Sequence, residues 1–514
     1  MFNQNSRLKN TALASFAGVG YQLIRIVLTF VYRTIFLLVF SKEYLGINGL
    51  FTNILQILSL TELGIGTAIM YRMYKPFAEQ DTSQIGALLG FYKNVYRIIA
   101  VVVVGLSLVV YQLLPVLVNV EEIPADVNVT VVYFLFVAQS VASYFCAYKQ
   151  SVISADQRGY MVSIYQLASE LAVNAVRIAM IFLFRDYVLV LAVGIAVTVL
   201  FNFGFGAYIS AQYREIFRQK KKLDRQTKKT ILFDTGSLLC HKVGTVVVSA
   251  TDSLVLAKYV NLVSVGLYSN YSLIVNAILG TLVNVSGSLN PIVGNYATVS
   301  SKDDTYKLYI RCVWLGFWVS SCLTVCLYTL LNVFIEAWLD ESYLFHPAVV
   351  AVLCLQFYLQ CSRMVNNIFI NGCGLFMKDK LRPLVESVIN LAVSVVLAAQ
   401  YGIIGVFIGT CVSAVCTYYW REPYLLLRYY FGKAGWQYTG ITVLWLIITI
   451  ATCGAFSFMN QFLPSGWLGF LVRGGVTLLG TNALYAVLMY KTDFFRTFRT
   501  LLLRKARRDK GVKE

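Results

Sequence analysis

The chain has 514 residues, 58% hydrophobic and 13% charged, with a formal net charge of +18, and its mean hydropathy is +0.67. That balance excludes a soluble enzyme and a disordered chain. Most of the excess positive charge sits in short segments between apolar blocks, which argues for membrane orientation and against a nucleic-acid partner.

The first apolar block, about Thr11 to Phe40, is long enough to span a bilayer. Arg7 and Lys9 precede it, but the block is too long for a signal-peptide core and has no small-residue cleavage site, so it reads as a retained helix. Within it Ser15, Gly18, Gln22, Arg25, Thr29 and Arg33 recur at steps of three and four, which is one helical face. An arginine near the bilayer centre costs roughly 2.5–3.5 kcal/mol on an insertion scale. A stripe of this kind is kept where it lines a wet cavity, so the pattern points to a transporter with a cationic interior.

Thirteen further spans are expected at about 46–70, 86–115, 129–149, 160–184, 187–211, 231–258, 264–296, 308–334, 347–371, 383–401, 403–420, 437–458 and 467–490. The result is an all-α polytopic membrane protein of about 14 transmembrane helices. In the second span Thr52, Gln56, Ser59 and Glu62 share a face, followed by Gly64 and Gly66 as a bend or a close packing point. The fifth carries Gln166, Glu170, Asn174 and Arg177. The seventh carries Asp234, Ser237, His241, Thr245 and Asp252, with Lys242 beside them. The tenth carries Gln356, Gln360, Arg363 and Asn367, and the eleventh Glu386, Asn390 and Ser394.

Two readings of these stripes compete. Polar side chains in membranes often only hydrogen-bond neighbouring helices. That suits the Asn, Gln and Ser residues better than Arg25, Arg33, Arg177, Lys242 and Arg363, because neutral partners do not offset a buried cation away from the span ends. Glu170 and Arg177 lie two turns apart and are able to bridge. His241, between Asp234 and Asp252, is either a packing residue or part of a proton relay. The eleven cysteines show no CxxC or Cys/His spacing and fall mostly inside apolar spans, as small packing residues do.

Loop charge sets the topology. With the N-terminus inside, the inner loops contain Arg72 and Lys75, Lys149 and Arg158, Lys302 and Lys307, Lys378 to Arg382, and Arg421 to Lys433. The tail adds Arg504, Lys505, Arg507 and Arg508. The outer loops hold Glu121, Glu122, Asp126, Glu336, Asp340 and Glu341. Both termini are therefore expected in the cytoplasm. The basic stretch from Arg214 to Lys229 reads as a linker resting near anionic headgroups. The expected organisation is a six-helix lobe over 1–212, the linker at 213–230, a second six-helix lobe over 231–430, two further helices over 431–490, and a basic tail over 491–514. Leu45-Gly46-Ile47-Asn48-Gly49-Leu50-Phe51 opens the second span and Val265-Gly266-Leu267-Tyr268-Ser269-Asn270-Tyr271 the eighth. Their equivalent places suggest a parallel internal repeat.

The run YLGINGLFTNILQILSLTELGIGTAI at 44–69 resembles the second-helix signature of bacterial polysaccharide repeat-unit flippases of the Wzx type. TDSLVLAKYVNLVSVGLYSNYSLI at 251–274 resembles the signature joining their seventh and eighth helices, and Gly294-Asn295-Tyr296 fits as well. The resemblance covers almost the whole chain and places it in the MATE-like exporter superfamily. It implies two lobes about a central cavity and ion-coupled, alternating-access transport of an undecaprenyl-diphosphate-linked oligosaccharide across the bacterial cytoplasmic membrane. It also implies no enzyme activity and no bound cofactor, with H+ or Na+ as the coupling ion. Membrane lipids, a polysaccharide polymerase and a chain-length regulator are the expected partners. It transfers no substrate residue, so the candidates come from the stripes. Arg25, Arg33, Arg177, Lys242 and Arg363 are assigned to the diphosphate, since Arg forks suit phosphate oxygens. Asp252, His241, Asp234, Glu62 and Glu170 are assigned to ion coupling or gating.

Four alternatives remain, one of them a purely structural membrane subunit, which transport in a purified reconstituted system would separate. A lipid II or teichoic-type precursor flippase is a near relative. A MATE drug exporter would share the fold, but needs an acidic or aromatic cavity for cationic drugs. A membrane polymerase or glycosyltransferase needs a sizeable extramembrane segment with catalytic carboxylates, and the outer loops are short.

Overall fold

In the computed structural model the described residues are 4–59, 65–117, 123–156, 158–219, 221–379, 381–492 and 495. Side chains are described from residue 17 onward, apart from 232–246 and shorter gaps. Among the described residues the fold is helical, with no strand, and 12 helices are long and apolar enough to cross a membrane. The two other expected spans are the helix pair over 42–79 and the helix over 225–259, which carries more polar residues. Leu38, Val101, Leu200 and Val299 are 71–81% exposed. Apolar surface of this kind needs lipid around it. The chain is a multi-pass membrane protein.

Its contacts divide it into two units. The first holds Met1–Ser269 and Pro383–Leu391. Its helices are α1 (Gln4–Val39), α2 (Lys42–Leu58), α3 (Ile65–Glu79), α4 (Thr82–Leu117), α5 (Val129–Ala155), α6 (Gly159–Phe184), α7 (Tyr187–Gln212), the short α8 (Arg214–Arg218), α9 (Arg225–Tyr259) and the start of α10 (Leu262–Val299). α1 packs on α6, α6 on α7, α5 on α4 and α7, and α2 on α9. Phe36, Phe51, Tyr133 and Tyr144 fill the interior. Asn128, Asp186 and Asp224 cap α5, α7 and α9 by accepting backbone N–H groups that the helix leaves unpaired. α8 packs on α4, where Gly86 lies against Gln219. This contact fixes which end of the bundle carries the basic segment.

The second unit holds Asn270–Arg382 and Ala392–Glu514. It continues α10 and contains α11 (Lys302–Trp338), α12 (Pro347–Ser362), α13 (Met364–Gly372), most of α14 (Arg382–Tyr401), α15 (Ile403–Cys416), α16 (Tyr418–Tyr424), a π-helical stretch (Leu425–Phe431), α17 (Trp436–Asn460) and α18 (Gly466–Met489). α11 is central and packs on α12, α17 and α18. Buried polar groups join these helices. The Tyr309 hydroxyl donates to Asn366 Oδ1 at 2.8 Å, and Asn366 Nδ2 donates to the Tyr438 hydroxyl at 2.9 Å. The Ser321 hydroxyl is hydrogen-bonded to both Thr449 and Tyr485. Each pairing offsets the desolvation penalty of a buried polar atom.

Besides the second span, which is a helix pair, the fourth, tenth and twelfth differ from expectation. The fourth runs past 149 to Ala155, so Lys149 is helical. The tenth is interrupted at Arg363, which ends α12 and begins α13. The twelfth continues beyond 420 through Glu422 and Pro423 to Phe431. An apolar count ends a span at a charge. In the twelfth span Arg421 and Glu422 are paired with Asp379 and Arg363, and in the fourth the Lys149 ammonium donates to the Gly206 carbonyl, so both helices go on.

Candidate functional site

The polar face of α1 meets α6. Arg25 Nε lies 3.9 Å from Glu170 Oε1, with side chains 53% and 38% exposed. Asn174, one turn along α6, donates Nδ2 to the Glu170 carbonyl at 2.8 Å and to its carboxylate at 3.4 Å. Glu170 is thus steadied by its own helix. The link to Arg25 is long and open, and where water fills that opening a pair of this kind is worth about 0–1 kcal/mol. Arg25 also interacts with the Tyr21 hydroxyl, so it is a cation held by neutral and weak contacts that a stronger anion is able to replace.

Arg177 lies two turns further along α6. Its guanidinium sits 5.8 Å from the centre of the Tyr32 ring on α1. It also presses on α7 at Gly194, where a Cβ would come within 2.0 Å of Arg177 Nε. Only glycine leaves that space. Among the described residues this Nε has no hydrogen-bond partner. Arg33, two turns from Arg25, faces another neighbour, with Nη1 donating to Ser269 Oγ on α10 at 2.8 Å. α1 therefore presents Arg25 to α6 and Arg33 to α10.

Where α2, α9 and α10 meet, the packing is tight and polar. Asp252 is 2% exposed, within electrostatic reach of the Tyr268 hydroxyl. Asn53 Nδ2 donates to Ser253 Oγ at 2.9 Å. Next to these, Gly46 and Gly266 let the two helices touch. A Cβ on Gly46 would lie 2.3 Å from the Leu262 carbonyl oxygen, and one on Gly266 would lie 2.5 Å from that of Lys42. The two glycines that mark the repeat in the sequence are thus each other's packing partners.

The second unit has its own ionic cluster. Arg363, at the α12–α13 break, donates Nη2 to Glu422 Oε1, and its guanidinium lies 3.9 Å from the centre of the Tyr418 ring. Arg382 Nη2 reaches the same Glu422 oxygen at 3.7 Å, and its Nε donates to Asp379 Oδ2 at 2.7 Å. Arg421 Nε donates to Asp379 Oδ1 at 3.3 Å. Asp379, Arg382 and Glu422 are all buried. Three cations and two carboxylates tie the ends of α12, α13, α14 and α16 together.

Of the candidates chosen from sequence, Arg25, Glu170 and Arg177 share the α1–α6 interface. Arg33 and Asp252 border the start of α10, and Arg363 stands in the second unit's cluster. Glu62 and the side chains of Asp234, His241 and Lys242 lie outside the described residues. Glu422 and Asp379 were missed, although Arg-Glu-Pro inside an apolar stretch was a visible signal for Glu422. Of the second-span stripe, Ser59 receives a hydrogen bond from the Tyr144 hydroxyl at 3.1 Å and so ties α2 to α5, while Gly66 lies against the Tyr92 hydroxyl. Among the described residues no group of three or more His, Cys, Asp or Glu side chains is placed to hold a metal ion.

The sequence profile of a family described as polysaccharide biosynthesis protein matches residues 9–297. No curated protein sequence matches the chain. Among solved structures, the chain is similar to the lipid II flippase MurJ in an inward closed conformation, at TM-score 0.66 and 11% identity over 93% of this chain and 100% of that one. It is similar to an inward-facing multidrug resistance MATE family transporter of the MOP superfamily, at TM-score 0.61 and 12% identity, covering 78% and 96%. The Vibrio cholerae MATE transporter VcmN in its bent form gives TM-score 0.52 and 15% identity, covering 82% and 96%. At these identities the likeness is one of fold.

Proposed function

Because the chain belongs to the polysaccharide biosynthesis protein family, we propose that it is a flippase that moves undecaprenyl-diphosphate-linked oligosaccharide repeat units across the bacterial cytoplasmic membrane. The observation that carries this reading is the open Arg25–Glu170 contact within the membrane span of α1 and α6. A diphosphate cannot cross hydrocarbon without replacing its hydration, and guanidinium forks suit its oxygens. Arg25 offers such a fork with a weak incumbent partner. Arg177, whose Nε has no partner among the described residues, supplies a second cation on the same interface, and Arg33 lies two turns along α1 towards α10.

Exchange at Arg25 links substrate to ion. When the diphosphate takes Arg25, Glu170 loses its counter-charge, and a proton or Na+ then compensates it. When that ion leaves, Glu170 reclaims Arg25 and the diphosphate is released. Asp252, buried where α2, α9 and α10 meet, is a second candidate coupling group. Lys242 and His241 belong to the same helix and are proposed to act beside it. Arg363 has a buried carboxylate as its partner and is proposed to hold the interrupted tenth span in place, with any diphosphate contact secondary. Both termini and the basic segment are cytoplasmic by loop charge, and the chain acts with a polysaccharide polymerase and chain-length regulator.

The test is rescue of a strain lacking its repeat-unit flippase, with the lipid-linked sugars that accumulate or disappear identified by mass spectrometry. Restored polymer export with loss of the accumulated undecaprenyl-diphosphate oligosaccharide is the expected result. Clearance of lipid II alone would move the protein to the peptidoglycan-precursor branch. A strain that shows neither of these effects would refute the reading.

A further inference from the structure

Away from the α1–α6 interface, the first unit has a groove of about 200 Å³ between α4, α5 and α7. Lys93 and Arg97, four residues apart on α4, line it together with Lys149 of α5. Tyr96, Tyr148 and Phe203 form much of the remaining wall. Among the described residues none of the three cations pairs with a carboxylate. Lys149 is held in position, because its Nζ donates to the Gly206 carbonyl at 3.1 Å. A Cβ on Gly206 would come within 3.3 Å of Lys149 Cδ, so the glycine gives the stem its room. One donor of the ammonium is used by that carbonyl and two remain.

The position of the groove identifies its ligand class. Lys93 is seven residues beyond Gly86, where α4 touches the basic segment, or about 10 Å along the helix. Lys149 is six residues from the end of α5, and Gly206 six from the end of α7. The groove therefore opens near the basic end of the bundle, at headgroup and upper acyl depth. Phe203 is 51% exposed and Phe145 is 47% exposed at its mouth, an apolar flank suited to acyl chains. Ordinary snorkelling places single Lys and Arg side chains at this depth. It does not account for three cations from two helices in one aromatic-walled groove with no counter-charge among the described residues.

We infer that this groove binds the phosphate headgroup of an anionic membrane lipid, with a two-phosphate headgroup favoured. Basic pockets between transmembrane helices on the cytoplasmic side hold such headgroups by charge and hydrogen bonding. Three cations match two phosphates. The bound lipid bridges α4, α5 and α7 at the level where they approach α8.

The test is native mass spectrometry of the full-length protein in detergent, titrated with cardiolipin, phosphatidylcholine and inorganic phosphate. Wild type should retain cardiolipin and not phosphatidylcholine, with inorganic phosphate failing to displace it. At about fivefold per lost cation, K93Q/R97Q should weaken cardiolipin binding by ~25-fold. Both residues are exposed, so the fold should survive, and lipid-free thermal stability checks it. R214Q/R218Q removes two exposed cations from α8, outside the groove, and should leave binding within about twofold of wild type. Equal retention by wild type and K93Q/R97Q would overturn the inference. So would an equal loss in R214Q/R218Q, which would mean diffuse charge, or displacement of the lipid by inorganic phosphate, which would mean a free-anion site.

Discussion

Glu422→Gln is expected to destabilise the second unit severely, because Glu422 is the buried counter-charge for two arginines. Its side chain is fully buried, and those of Arg363 and Arg382 are only 17% and 3% exposed. The substitution leaves three cations with Asp379 as the one remaining carboxylate of the cluster. Removing one partner of a buried pair costs about 3–5 kcal/mol, since the other charge stays buried without compensation. The Tyr418 ring beneath Arg363 offsets part of that, by up to about 2 kcal/mol for a desolvated contact, so ~3 kcal/mol is the expected net loss. At roughly 2–4 °C per kcal/mol for a unit of 150–250 residues, the apparent Tm falls by about 6–12 °C. Arg363→Gln alone should fall by a similar amount. The double variant R363Q/E422Q removes both charges and should lose less than the sum of the singles, by at least ~1.5 kcal/mol. The assay is thermal unfolding of purified protein followed by intrinsic tryptophan fluorescence. Additive singles, or a Glu422→Gln variant as stable as wild type, would show that the cluster is hydrated and would refute the reasoning.

Gly46→Val should disrupt the crossing of α2 and α10, because a side chain there meets the Leu262 carbonyl. Complementation should fall sharply, while Gly90→Ala, with nothing within 4 Å of the added carbon, should be neutral. Lys222→Cys in a cysteine-free background should resist an impermeant thiol reagent in intact cells and react after permeabilisation; labelling from outside would invert the topology. Asp252→Asn should insert normally and change the pH or sodium dependence of transport in proteoliposomes, and an unchanged dependence would remove Asp252 from ion coupling.

The helices were legible where apolar runs are long and bounded, as in α4 and α11. Their interruptions were not. Nothing local in Pro347–Gly372 marks Arg363 as a break, because the carboxylate that stabilises it lies 59 residues further on. For the same reason the twelfth span was ended too early. Periodicity places a side chain on a face but does not say which neighbour that face meets. Arg25 and Arg33 fall in one stripe of the sequence, yet a separation of eight residues turns them towards α6 and α10 respectively. The repeat glycines were visible as a motif, but their contact with one another was not, since a sequence repeat states equivalence and not adjacency. Lys93 and Arg97 stood in plain view at i and i+4 inside the third span, and acquired meaning only once Lys149 was found across the groove.

The central claim is that the α1 arginine carries the diphosphate, and transport by Arg25 variants in proteoliposomes loaded with lipid-linked repeat units measures it most directly. Arg25→Ala should abolish flipping, and Arg25→Lys should retain only part of it, because an ammonium does not reproduce a bidentate guanidinium contact. Both variants should be made and inserted at normal levels, since the Arg25–Glu170 pair is exposed and contributes little to stability. Normal flipping by Arg25→Ala would contradict the account and remove α1 from the substrate path.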